Sequence, residues 1–226
     1  MAIDLIIFDL DGTLADTKLD LANAVNATRA EFGLPPLPNE EVYSYVGNGA
    51  PVLIRRALGP QFSEEEIQRG LESFFARYRE HMLDHTRLYP GVAESLDRLS
   101  ADGVKMAILT NKPVRFSQDI VQGLGIADHF FRVYGGNSFA TKKPDPEGVH
   151  ALLAEAGTPK ENALMVGDSA VDVQTARNAG IAVCGVTYGF QPDTLAAEPP
   201  DILVDRFSDL AEMVLADRHP KGVSRK

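Results

Sequence analysis

The stretch Ile3-Asp4-Leu5-Ile6-Ile7-Phe8-Asp9-Leu10-Asp11-Gly12-Thr13 decides how the rest of the chain is read. It is apolar at nearly every position up to Phe8, as a strand buried on both faces of a parallel sheet should be. It then runs straight into two aspartates two positions apart. Strand side chains alternate, so Asp9 and Asp11 project to one side and Leu10 to the other. Gly12 permits the sharp turn that keeps both carboxylates at the rim. Two carboxylates on one side repel each other unless a cation or a shared proton relieves them. Taken alone, the same residues also fit a strand that ends in an Asp-Gly turn.

Working outward, similar short apolar runs recur at Val104–Leu109, Phe130–Tyr134, Ala163–Val166, Ile181–Val186 and Ile202–Val204. Between them lie helical patterns at Val92–Ala101, Phe116–Gly123, Glu147–Ala156, Val171–Ala179 and Phe207–Ala216. Strands alternating with helices predict an α/β fold, a Rossmann-like doubly wound and mostly parallel sheet. One gap breaks the rhythm. From about Ala15 to His85 there is no good strand, only helical patterns at Leu19–Phe32, Glu40–Val46, Val52–Leu58 and Glu64–Leu83. This predicts a catalytic core of residues 1–14 and 87–226 and a small helical cap of residues 15–86, inserted after the first strand. Such an insert belongs over the C-terminal edge of the sheet, where open α/β sheets bind ligands. Asp217 to Lys226 reads as a frayed polar tail.

Three further strand ends carry chemistry. Ile108-Leu109-Thr110-Asn111-Lys112-Pro113 places a hydroxyl and free backbone N–H groups where a helix begins, suited to phosphate oxygens or simply to capping. In Thr141-Lys142-Lys143-Pro144-Asp145-Pro146, Pro144 holds Lys143 out of helical geometry, and the next helix starts near Pro146. Lys143 then serves either to pair with a nucleophilic aspartate and a phosphoryl group, or as a solvated loop lysine. Leu164-Met165-Val166-Gly167-Asp168-Ser169-Ala170-Val171-Asp172 ends a buried strand in an acid, with a second acid one helical turn on. Asp168 and Asp172 suit a hard cation that takes oxygen ligands, or a helix cap. In combination these strand ends offer a carboxylate pair, a hydroxyl-amide, a lysine and a second carboxylate pair. That is the set metal-assisted phosphoryl transfer requires.

The bulk properties of the 226 residues are those of an ordinary globular protein, 44% hydrophobic and 24% charged. A net charge of −10 argues against nucleic acid and against an anionic membrane surface as partners. No apolar run is long enough to cross a bilayer, and the start of the chain, with Asp4 and Asp9, lacks a signal peptide's basic region. The one cysteine, Cys184, reads as a small buried thiol in a reducing, cytoplasmic setting.

The segments Asp9-Leu10-Asp11-Gly12-Thr13, Thr110-Asn111, Lys143-Pro144 and Gly167-Asp168-Ser169-Ala170-Val171-Asp172 resemble, in order, the four signature motifs of the haloacid dehalogenase superfamily. The resemblance covers nearly the whole chain. Within it, Val46-Gly47-Asn48-Gly49-Ala50, Thr110-Asn111-Lys112-Pro113, Lys142-Lys143-Pro144 and Val186-Thr187-Tyr188-Gly189 are similar to the bacterial phosphoglycolate phosphatase subfamily. The resemblance implies Asp9 as nucleophile, Asp11 as general acid and base, and Lys143, Thr110 and Asn111 on the phosphoryl oxygens. It implies Mg2+ on Asp9, the Asp11 carbonyl and Asp168, with Asp172 binding or orienting. It also implies that the helical insert is a mobile cap, in which the backbone N–H groups of Gly47, Asn48 and Gly49, helped by the side chain of Asn48 or Arg56, receive a small carboxylate. Taken alone, Gly-Asn-Gly also fits an ordinary inter-helix turn. The expected substrate is a small phosphomonoester, foremost 2-phosphoglycolate, hydrolysed by a monomer or homodimer. Another sugar phosphate or pyrophosphate stays open as substrate, as do a β-phosphoglucomutase-type mutase and a non-catalytic binding module. Against the mutase, Leu21 stands where such mutases carry a histidine.

Overall fold

A computed structural model describes residues 2–219. A six-stranded, wholly parallel sheet is built from β1 (Leu5–Phe8), β4 (Lys105–Leu109), β5 (Arg132–Tyr134), β6 (Ala163–Gly167), β7 (Ala182–Val186) and β8 (Ile202–Val204), in the order β5-β4-β1-β6-β7-β8. Every strand expected from sequence is present. β1 is central: Leu5 to Phe8 pair with Lys105 to Ile108 on one side and Ala163 to Val166 on the other. The chain winds outward from β1 through β4 to β5, then returns to the opposite flank at β6. The strand order therefore reverses at β1, and the crevice at its carboxyl end is the natural ligand site.

The alternation of β1 explains its continuous hydrophobicity. Ile6 and Phe8 face one core with Leu96, Leu99, Phe207 and Leu210, which lie on α5 (Val92–Ala101) and α9 (Phe207–Arg218). Leu5 and Ile7 face the other with Val149, Leu152, Val173 and Ala176, from α7 (Glu147–Ala156) and α8 (Ala170–Ala179). All four β1 side chains are fully buried, each contributing roughly 1.5–3 kcal/mol by leaving water. Cys184, on β7, is buried as expected, and burial pushes its thiol up to about 12.

Between β1 and β4 lie α1 (Lys18–Glu31), α2 (Asn39–Ser44), α3 (Ala50–Leu58) and α4 (Glu64–His81), with α1 and α3 packed against α4. The sequence shows no strand here, but the structure has two very short ones. β2 (Ala15–Asp16) pairs antiparallel with β3 (Arg87–Leu88), so the chain leaves and re-enters as one ribbon. Two-residue strands leave no periodicity to detect. Beside this ribbon the buried Asp20 carboxylate accepts from His85 N, Thr86 N and Thr86 Oγ1 at 2.8–3.1 Å. Phe116, on α6 (Val114–Gly123), meets Phe75 and Tyr78 of α4, with ring centroids 5.3 and 5.5 Å apart.

The expected tail starts later than Asp217, because α9 continues to Arg218. That side chain is anchored by Asp102, Asp4 and the Ile3 carbonyl at 2.7 Å, contacts remote in sequence. The rest of the expected tail, from residue 220, lies outside the described residues. Among the described residues no helix is long and apolar enough to cross a membrane.

Candidate active site

Each site residue leaves the sheet where its strand stops. Asp9 follows β1, Thr110 and Asn111 follow β4, and Asp168 follows β6, while the loop after β5 carries Lys143 back toward the centre. Lys143 Nζ lies 3.0 Å from Asp9 Oδ1 and 2.6 Å from Asp172 Oδ1. Asp9 Oδ1 also accepts from Leu10 N at 2.8 Å. Ser169 is the N-cap of α8, and its N and Oγ donate to Asp172 Oδ2 at 3.2 and 2.8 Å. Capping and site construction are thus one arrangement here. Asp168 Oδ2 accepts from the backbone of Phe190 and Gln191 at 2.6 and 3.3 Å.

Asp9, Asp168 and Asp172 are buried and offer carboxylate oxygens within 4.8 Å of one another. Burial pushes the Asp9 carboxyl up to about 6, Asp172 and Asp11 adding to the rise and Lys143 opposing it. Burial, then the charges of Asp172 and Asp9, hold Asp168 well above the carboxylate range. Burial works against the Lys143 ammonium, yet Asp172 and Asp9 keep its pKa above the ordinary lysine value. Three buried carboxylates against one ammonium leave an excess of negative charge, and oxygen donors this close fit a hard divalent cation.

Asp11 takes no part in that cluster. Its carboxylate is held by Thr17 Oγ1 at 2.6 Å and by Lys112 Nζ at 3.0 and 3.1 Å. Lys112 also lies over the Tyr78 ring, 4.6 Å from its centroid. Burial opposes the Lys112 charge, but Asp11 holds its pKa above the ordinary value.

A cavity of about 50 Å3 lies above this floor, bounded by Asp9, Asp11, Thr110, Asn111 and Asp168 below and by Gly47, Gly49, Leu53 and Tyr78 from the helical segment above. It holds only a handful of waters. Leu21 lines it with an apolar side chain. Asn111 Nδ2 donates to Gly47 O at 2.9 Å and to Lys143 O at 3.0 Å, while its buried Oδ1 has no partner.

Two of the expected recognition residues are placed differently. Arg56 is exposed and belongs to a separate surface depression with Arg55, Phe62 and Glu64. The reason is helical azimuth: α3 (Ala50–Leu58) turns Ala50 and Leu53 toward the cavity, and Arg56, farther along the helix, lies about 120° round it from Ala50. The Asn48 side chain does not line the cavity either, although Gly47 and Gly49 beside it do. Reading the sequence also missed Lys112, Phe190 and Gln191. Lys112 stood inside a quoted motif, but nothing local shows its partner; Phe190 and Gln191 carry no signal beyond following Gly189.

Comparison with known proteins agrees with this geometry. The family described as haloacid dehalogenase-like hydrolase matches residues 6–186. The chain is 42% identical over 222 residues to a phosphoglycolate phosphatase of Vibrio vulnificus, covering 94% of this chain and 96% of that one. It is 40% identical over 227 residues to phosphoglycolate phosphatase 1 of Pseudomonas aeruginosa, covering 94% and 83%. A crystal structure of a predicted phosphoglycolate phosphatase from Haemophilus somnus superposes with a TM-score of 0.89 at 36% identity, covering 93% of this chain and 97% of that one. The chain therefore belongs to the haloacid dehalogenase-like hydrolases, and it is a phosphatase-type enzyme of that family.

Proposed function

We propose that the chain hydrolyses small phosphomonoesters, foremost 2-phosphoglycolate, through a phosphoryl group carried on Asp9. The observation that carries the reading is Lys143, which touches Asp9 and Asp172 at once beneath the cavity at the sheet's carboxyl edge. Both recorded bonds to Asp9 fall on Oδ1, so Oδ2 is the attacking oxygen. As Oδ2 bonds to phosphorus, the phosphorus–ester oxygen bond breaks, and the departing alkoxide takes a proton from Asp11, which carries one only in the substrate-bound site, after Lys112 has turned from its carboxylate. Asp11, now a carboxylate, takes a proton from water whose oxygen attacks phosphorus. The Asp9–phosphorus bond breaks, which releases phosphate and restores the Asp9 carboxylate and the Asp11 carboxyl. Thr110, Lys143 and the main-chain N–H of Asn111, whose side-chain amide is taken by the Gly47 and Lys143 carbonyls, hold the phosphoryl oxygens as charge builds.

Asp9, Asp168 and Asp172, with the Asp11 carbonyl, would hold Mg2+. When bound, the ion neutralises charge on the phosphoryl group and on the carboxylates around it. Residues 15–86 act as the cap: they roof the cavity, exclude bulk water and limit the alcohol to a few atoms. The small cavity and the named activity of the relatives both support 2-phosphoglycolate as substrate. Leu21 in the cavity wall speaks against a mutase, because no proton carrier stands there. We place the enzyme in the cytoplasm, as a monomer or homodimer.

The test is phosphate release from 2-phosphoglycolate, β-glucose 1-phosphate, pyrophosphate and p-nitrophenyl phosphate, with Mg2+ and with chelator. The expected result is the highest kcat/KM for 2-phosphoglycolate and no turnover in chelator. Equal rates across the panel would overturn the substrate, and full activity in chelator would remove the metal.

A further inference from the structure

Lys112 is the only cation among the described residues lining the cavity. Its side chain is 5% exposed, so it stands in the cavity floor. The other walls near it are apolar or aromatic: Leu53, Phe74, Tyr78 and Phe116. An anionic tail on the substrate's alcohol would find no other positive side chain there. Lys143 lies lower, with 2% of its side chain exposed, engaged with Asp9 and Asp172. Arg56, the expected receiver, is outside.

The position of Lys112 along the reaction coordinate matters more than its charge. Its ammonium is 3.0 Å from Asp11 Oδ1, and Asp11 is the group that protonates the leaving oxygen. A cation in contact with that acid sits beside the ester oxygen. In an alcohol such as glycolate the carboxylate is attached to the very carbon that bears this oxygen. An acid-contacting ammonium is therefore within reach of that carboxylate and of few longer tails.

We propose that Lys112 receives the carboxylate of the leaving alcohol, and so selects phosphomonoesters whose acid group is one carbon from the ester oxygen. The inference rests on the phosphatase reading above and assigns its specificity to one side chain. Tyr78 forms the far wall of this subsite, its ring covering the ammonium and limiting the tail's length. Thr17, the other partner of Asp11, keeps the acid placed when Lys112 turns to the substrate.

The experiment compares 2-phosphoglycolate with isobutyl phosphate, a near-isostere with an uncharged tail, in wild type, Lys112→Met and Lys112→Arg. Any effect through the placement of Asp11 falls on both substrates, so the ratio of their kcat/KM values isolates the carboxylate contact. Wild type should favour 2-phosphoglycolate, and Lys112→Met should cut that preference by about a hundredfold, as loss of a charged partner for a buried group does. Lys112→Arg should keep part of the preference, raising KM for 2-phosphoglycolate alone. A Lys112→Met enzyme that keeps the wild-type ratio within threefold overturns the inference and leaves the substrate assignment standing. A wild type without the preference overturns the substrate assignment itself. Should Lys112→Met fail to fold by circular dichroism, Lys112→Arg decides: equal KM changes for both substrates overturn the inference.

Discussion

The side-chain amide of Asn111 donates to the main-chain carbonyl of Gly47 at 2.9 Å, joining a strand end of the sheet to the helical segment above it. It does not act alone. Lys142 Nζ donates to Asn48 O at 2.8 Å, and Gln191 Nε2 to Val46 O and Ser44 O at 2.6 and 3.2 Å. Three loops of the sheet thus grip one stretch of backbone. If this grip holds the cap closed, Lys142→Ala with Gln191→Ala should raise hydrogen exchange at residues 44–50 by about tenfold. Each lost bond is worth roughly 0.5–1.5 kcal/mol net. Unchanged exchange in the double variant would show that the Asn111 bond and the aromatic contacts of Phe116 suffice.

Asp9→Asn and Lys143→Met should part company. Asp9→Asn removes a charge that its buried site disfavours, so the metal-free variant should melt no lower than wild type at pH 8. Its turnover should fall by more than about a hundredfold. Lys143→Met leaves Asp9 and Asp172 buried without their cation, at a cost of about 3–5 kcal/mol. Calorimetry and phosphate release on both variants check the pair. A stable Lys143→Met would mean that the carboxylates share protons instead.

The metal-free protein should gain stability as pH falls from 8 to 5. Asp9 rises from 3.8 to about 6 on folding and Asp168 rises further, so the folded state binds more protons than the unfolded one in that window. The stability is fully present below the unfolded value and lost as pH rises through 6. Carboxyls lowered on folding, such as Asp4 and Asp20, act only below about pH 4. Mg2+ should accordingly raise Tm more at pH 8 than at pH 5. A melting temperature flat in pH without metal would contradict the excess of negative charge.

Gly12 has φ +83°, and a Cβ there would lie 2.2 Å from Asp168 Oδ2, an oxygen already bonded to Phe190 N at 2.6 Å. Gly103 has φ +76° with nothing within 4 Å. Gly12→Ala should cost about 3 kcal/mol, strain plus overlap, and Gly103→Ala only about 1–2 kcal/mol. Equal costs by urea unfolding would mean that Asp168 yields freely.

Arg56→Ala should leave kcat/KM for 2-phosphoglycolate within about twofold, because the side chain is outside the cavity. A tenfold loss, measured by phosphate release, would bring Arg56 into the closed site after all.

The six strands, their parallel character and the four strand-end motifs were legible in the sequence. Buried strands such as Leu5–Phe8 write their burial as unbroken hydrophobicity, and Asp9, Thr110 and Asp168 need only follow such strands to reach the same edge. Helix α4 was legible too, from a periodicity that its capping box at Ser63 and Glu66 begins. The two-residue ribbon of β2 and β3 was not, since hydrogen bonds between Ala15–Asp16 and Arg87–Leu88 leave no local pattern. Local composition likewise could not say which cation of the loops meets which acid.

By itself, then, the sequence determined the sheet, the helical insertion and the residue types at the sheet's carboxyl edge, because each is encoded within one element and its end. Only the tertiary structure decided that Lys112 meets Asp11 across 101 positions, that Asn111 bonds the backbone of Gly47, and that α3 turns Arg56 away from the cavity. Those outcomes depend on the rotation of a helix about its axis and on which loops the sheet order makes neighbours. Both are set by packing among distant side chains, a quantity no short stretch of sequence contains.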